Sequence, residues 1–123
     1  MKPGKTGIAR IIDAAGYSAK GLRFAWKHEA AFRQELILTG FFLIAAFFLS
    51  DTVLESMILI IPVFIVLITE LLNSAIEAVV DRIGAERHDL SGAAKDIGSA
   101  AVLISLILVA VVWGLFILDK FFF

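Results

Sequence analysis

The stretch Val66-Leu67-Ile68-Thr69-Glu70-Leu71-Leu72-Asn73-Ser74-Ala75-Ile76-Glu77-Ala78-Val79-Val80-Asp81 decides how this chain is read. It is apolar enough to enter lipid, yet it carries Glu70, Asn73 and Glu77. At about 100° per residue these three fall within about 60° of one another, and Ser74 and Asp81 extend the same stripe. The other face is Ile68, Leu71, Leu72, Ala75, Ile76 and Val79. Ionisable groups at membrane depth cost about 2.5–3.5 kcal/mol each on insertion scales, so they mark a functional site by default. The structural alternative pairs Glu70 and Glu77 with Arg or Lys of neighbouring helices. For Asn73 alone, an interhelical hydrogen bond competes evenly with a catalytic role.

Composition agrees with a membrane reading. Of 123 residues, 60% are hydrophobic, and the mean hydropathy is +0.94. Soluble domains are about half apolar. The net charge of −1 gives no global pull towards nucleic acid, and no such partner is expected. Cysteine is absent, which excludes disulfides, thiolate metal sites and a Cys nucleophile. No cleavable signal peptide is visible, because charges recur through Glu35 before any apolar run.

An all-α membrane protein follows, as one domain spanning 1–123. Ile8, Ile11, Ile12, Ala15, Ala19, Leu22 and Trp26 recur at helical spacing opposite Arg10, Lys20, Arg23 and Lys27. This predicts an amphipathic surface helix over about 8–27. Three spans are expected, at about 30–49, 53–80 and 97–118. The first has an apolar core of only Leu36–Leu49, about 21 Å against a hydrocarbon core of about 30 Å. It spans only if Ala30, Ala31 and Phe32 join it, with Arg33 and Glu35 reaching back to the interface. The second is about 42 Å long, and Pro62 is expected to kink it. Glu70 then lies near one hydrocarbon boundary and Glu77 near the headgroups. Segment 81–96 reads as a loop.

Lys and Arg concentrate before the first span and in the 81–96 segment. By the positive-inside rule both are cytoplasmic, and the acidic stripe faces the leaflet where ATP is available. Carboxylates collect there: Glu29, Glu70, Glu77, Asp81, Glu86, Asp89 and Asp96. Mg²⁺ takes oxygen ligands, commonly one or two carboxylates plus substrate phosphates. Arg10, Arg23, Arg82, Arg87 and Lys95 suit phosphate oxygens. A carboxylate near the interface can accept a proton from a lipid hydroxyl. Together this is equipment for phosphoryl transfer, although Gly-x4-Gly-Lys-Ser/Thr and Gly-x-Gly-x-x-Gly are both missing. Gly98, Ser99, Ala100 and Ala101 let membrane helices approach closely. Trp26 and Trp113 read as interfacial anchors, and His88 as a loop residue.

Three blocks carry a resemblance. Arg10-Ile11-Ile12-Asp13-Ala14-Ala15-Gly16-Tyr17-Ser18 with Glu29-Ala30-Ala31-Phe32-Arg33-Gln34-Glu35 resembles the N-terminal part of the prokaryotic integral-membrane diacylglycerol kinases. Glu70 to Arg82 resembles that family's core motif, and Lys95 to Val102 a third block. The resemblance covers nearly the whole chain in order. It implies a homotrimer in the bacterial inner membrane, with active sites shared between subunits. The reaction implied is MgATP plus diacylglycerol to phosphatidic acid plus ADP, in phospholipid metabolism and lipid recycling. Glu70 matches the catalytic base and Asn73 a polar residue beside it. Glu29 and Glu77 match the metal-binding carboxylates, which also meet the nucleotide. Arg10, Tyr17, Glu86, Arg87, His88, Lys95 and Asp96 match residues around the nucleotide. Arg10, the segment Ala31, Phe32, Arg33, Gln34 and Glu35, and Glu70, Ser99 and Trp113 match positions lining the lipid site. Ala19, Arg87 and Ala93 depart from the residues common at their positions. An undecaprenol kinase of the same fold is the near alternative; a small ion-conducting subunit is the alternative of another class.

Overall fold

The computed structural model describes residues 6–84, 86 and 88–123. Among these, all regular structure is helical: α1 (Gly7–His28), α2 (Ala30–Leu49), α3 (Val53–Ile83) and α4 (Asp89–Phe122). Helices α2, α3 and α4 are long and apolar enough to cross a membrane. At 1.5 Å per residue, α3 and α4 are each about 45–50 Å long. Both exceed the hydrocarbon core, so their polar ends project beyond it.

Helix boundaries follow local chemistry. Glu29 alone separates α1 from α2; its backbone is extended, at φ −116° and ψ 102°. Arg33 spans the break, donating from Nη1 to the carbonyls of Trp26 at 2.7 Å and Lys27 at 3.2 Å. It thus satisfies the carbonyl end of α1, where a cation is favoured. Thr52 opens α3 by accepting from the Glu55 N–H at 3.1 Å. His88 opens α4, its Nδ1 accepting from the Leu90 N–H at 3.1 Å.

Segment 89–96 is not a loop but the first turns of α4, and residues 81–83 still belong to α3. The polar run Asp89–Asp96 reads as loop by hydropathy, but the His88 cap and the acidic first turn start a helix that projects from the bilayer. Helix α3 runs through Pro62 without a break.

Helix α3 is central, packing on both α2 and α4, whereas α1 packs against α2. One apolar cluster joins Ala46 of α2, Leu59 and Val63 of α3, and Trp113 of α4. A second joins Ala25, Phe32 and Leu67, tying the end of α1 to α2 and α3. The helices present Phe47, Phe48, Ile68, Leu72 and Ile104 outward. That is the inverse of a soluble bundle and suits lipid as the solvent.

Candidate active site

The polar stripe of α3 faces inward. Glu70 is 5% exposed and Asn73 8%; Glu77, one turn on, is half-buried and Asp81 exposed. Ile68, Leu72, Ile76 and Val79 lie outward, as the helical periodicity requires. Asn73 donates from Nδ2 to Glu77 Oε1 at 3.3 Å. Its Oδ1 is buried without a partner, as is the hydroxyl of Ser74.

Gly98 of α4 makes this arrangement possible. It is buried, and a Cβ placed on it would land on Asn73 Oδ1. A residue without a side chain lets the two helices approach around the amide as it stands, in the way small residues serve membrane packing; a methyl group there would force the Asn73 amide to move. Ser99, one step on, points to the exposed side.

Other acidic groups converge on Glu70. Glu77 and Glu29 are within electrostatic reach of it, and so is Glu35 of α2. Glu29 lines a cavity of about 580 Å³ between α1 and α3, with Ser18, Phe24, Leu71 and Ser74. Glu35 lines a second, almost wholly apolar cavity of about 350 Å³ with Thr39, Phe42, Val66 and Trp113. Its Oε2 is buried and has no partner. Glu35 therefore does not reach back to the interface as expected; its carboxylate is held against an apolar space. Trp113 is no interfacial anchor either. It is 7% exposed, and its indole N–H donates to the Leu59 carbonyl at 3.0 Å.

A third cavity, of about 520 Å³, lies where α3 ends and α4 begins. It brings together Asp81, Glu86, His88, Lys95 and Asp96. Lys95 pairs with Asp81 at 2.8 Å, both largely exposed. This pair escaped sequence reading, which placed Lys95 in a loop; on helices the two residues sit on facing ends. Arg87 lies outside the described residues. Arg10 and Tyr17 are exposed on α1, and neither lines these three cavities. Among the segment 31–35, Phe32 is core, Arg33 braces α1, and Ala31 and Gln34 are exposed.

The carboxylates fit a magnesium site of a particular kind. Among the described residues no three His, Asp or Glu side chains converge to cage a cation. Glu77 accepts one hydrogen bond from Asn73 and keeps lone pairs free. Mg²⁺ bound by one or two carboxylates and completed by phosphates and water needs no larger set. Glu29 and Glu77, each within electrostatic reach of Glu70, are the candidate pair that would hold it.

A buried carboxylate on a long apolar helix, flanked by further carboxylates and by a polar cavity with a lysine, makes a candidate phosphotransferase site. Comparison with known proteins gives the family. The prokaryotic diacylglycerol kinase profile matches residues 16–117. The chain is 52% identical over 121 residues to a diacylglycerol kinase of Escherichia coli K12, covering 98% of this chain and 99% of that one. It is 50% identical over 109 residues to one from Haemophilus influenzae, covering 89% and 92%. To one from Pseudomonas aeruginosa it is 46% identical over 115 residues, covering 94% of each. The chain belongs to the prokaryotic diacylglycerol kinase family.

Proposed function

We propose that this chain transfers the γ-phosphoryl group of MgATP to the free hydroxyl of diacylglycerol, giving phosphatidic acid and ADP. The observation that carries the reading is the buried Glu70, set at lipid depth among partly satisfied polar groups in a chain of this family. The Glu70 carboxylate accepts the hydroxyl proton as the lipid oxygen bonds to the γ-phosphorus. The bond from that phosphorus to the β–γ bridging oxygen breaks, and ADP leaves. Mg²⁺, when bound, neutralises charge on the phosphate oxygens; Glu29 and Glu77 would hold it. Asn73 orients Glu77 through its Nδ2 bond. Glu86, His88, Lys95 and Asp96 receive the nucleotide from the aqueous side, joined by Arg10, Tyr17 and Arg87 on assembly. The lipid enters along α2 and α4, past Ala31–Glu35, Ser99 and the cavity of Trp113.

The protein lies in the bacterial inner membrane with α1 on its cytoplasmic surface. There α1 presents a basic, Trp-bearing face to the headgroups. It works as a homotrimer whose sites are shared. Supporting this, Asn73 Oδ1, Ser74 Oγ and Glu35 Oε2 are buried unsatisfied in one copy, and such groups are ordinarily paired.

The test is transfer of γ-phosphate to short-chain diacylglycerol in detergent micelles with Mg²⁺, beside Glu70→Gln. Transfer by the parent chain, lost in the variant at unchanged folding and ATP binding, supports the reading. A folded parent that phosphorylates undecaprenol in preference to diacylglycerol moves the substrate to that lipid. A folded parent that phosphorylates neither contradicts kinase function.

A further inference from the structure

Helix α3 carries a weak point and a brace at the same level. Pro62 has no N–H to give the Ile58 carbonyl, and its ring crowds that carbonyl. Proline inside a helix ordinarily bends or breaks it; α3 runs on without a break through Pro62, which is buried. Eight residues and about 12 Å further along the same helix stands Glu70. Any change of direction at Pro62 would therefore displace that carboxylate.

The brace comes from α4. Trp113 donates its indole N–H to the Leu59 carbonyl at 3.0 Å. Leu59 is 0% exposed and Trp113 7%. Phe42 of α2 meets the indole edge-on, with centroids 4.8 Å apart. An indole has one N–H, so this donor is committed to the α3 backbone within one turn of the proline. Trp113, Val63 and Val66 also share the wall of the apolar cavity that Glu35 lines. The segment that leads from Pro62 to Glu70 is thus held by α4.

We infer that Trp113 is a positioning residue: its bond to the Leu59 carbonyl braces α3 across Pro62 and fixes Glu70 relative to the lipid hydroxyl. This rests on the reading of Glu70 as the base, and the two fail separately. Full activity in Glu70→Gln would overturn that reading, whereas the brace is tested by variants that leave Glu70 in place.

Trp113→Phe keeps the aromatic body and removes only the donor. Pro62→Ala restores the backbone N–H to α3. Both variants and their combination are assayed in micelles, well below their melting temperatures. The expected result for Trp113→Phe is a kcat lowered about tenfold, since small misplacement of a reacting group is costly, with the KM for MgATP unchanged. Pro62→Ala alone retains parent kcat, and the double variant recovers most of what Trp113→Phe loses.

A raised lipid KM at parent kcat would instead make Trp113 a substrate contact. A lowered melting temperature at parent kcat would make it merely structural. A double variant no better than Trp113→Phe would also overturn the brace. Should Trp113→Phe fail to assemble, hydrogen exchange at the Trp113 indole in the parent decides. Protection is expected; exchange as fast as in free indole overturns the inference.

Discussion

At the turn between α2 and α3, Lys120 of α4 reaches the Leu49 carbonyl and Asp51, the latter at 2.7 Å. Glu55 lies 3.5 Å from the same ammonium, and Ser50 and Ser56 share a hydrogen bond of 2.7 Å. At the other end of the bundle, Glu35, Asn73 and Ser74 each bury an oxygen that nothing satisfies. All the buried unsatisfied side-chain atoms among the described residues lie at that end. One end is complete within a single copy, and the other leaves three buried polar atoms unsatisfied. Unpaired polar groups cost stability wherever they are buried, so their confinement to the Glu70 end is consistent with the proposal that places the working site there.

The comparison breaks first at Glu70. Glu70→Gln keeps volume and removes the proton acceptor. A positioned general base contributes about 10²–10⁴-fold, so a loss of kcat in that range is expected, with nucleotide binding retained. Calorimetric titration with MgATP alongside turnover would check this. A Gln variant within a few-fold of the parent would leave Glu70 as structure alone.

A smaller effect separates two glycines of α4. Gly98→Ala drives a methyl group onto Asn73 Oδ1, whereas at Gly114 no atom stands within 4 Å of the added Cβ. Overpacking costs about 1–3 kcal/mol, so Gly98→Ala is expected to lower both activity and thermal midpoint. Gly114→Ala should leave both at parent values. Parallel melting curves and kcat measurements would distinguish them; equal behaviour would mean that α3 and α4 are not closely apposed at Asn73.

The smallest effect belongs to the satisfied end. Lys120→Met removes the ammonium shared by Leu49, Asp51 and Glu55. A modest fall in melting temperature with unchanged kcat and KM is expected. A fall in kcat without loss of stability would show that this end also contributes to the chemistry.

Much of the working end was legible in the sequence because it is local. The angular clustering of Glu70, Asn73 and Glu77 follows from helical geometry alone, and the burial of Glu70 and Asn73 opposite Ile68 and Leu72 agrees with it. Gly98 was legible as a packing residue, though its partner Asn73 was not. What escaped is long-range: Trp113 to Leu59 is 54 residues apart in sequence, and Lys120 to Asp51 is 69. No periodicity encodes such pairs. The start of α4 was misread because a polar run was equated with a loop, although a helix that leaves the bilayer needs no apolar face. Glu35 was misread for a related reason: a carboxylate at the start of a span was assumed to seek water, but the packing of α2 turns it inward.

The most direct measurement is complementation between subunits. Glu70→Gln and Asp96→Asn chains, each expected to be inactive alone under the proposed shared-site trimer, are mixed in denaturing detergent, reassembled and assayed. If the unsatisfied end is completed by a neighbour, verified mixed trimers recover a substantial fraction of parent turnover, because some sites combine an intact Glu70 with an intact Asp96. Verified mixed trimers that remain inactive would contradict a site shared between subunits.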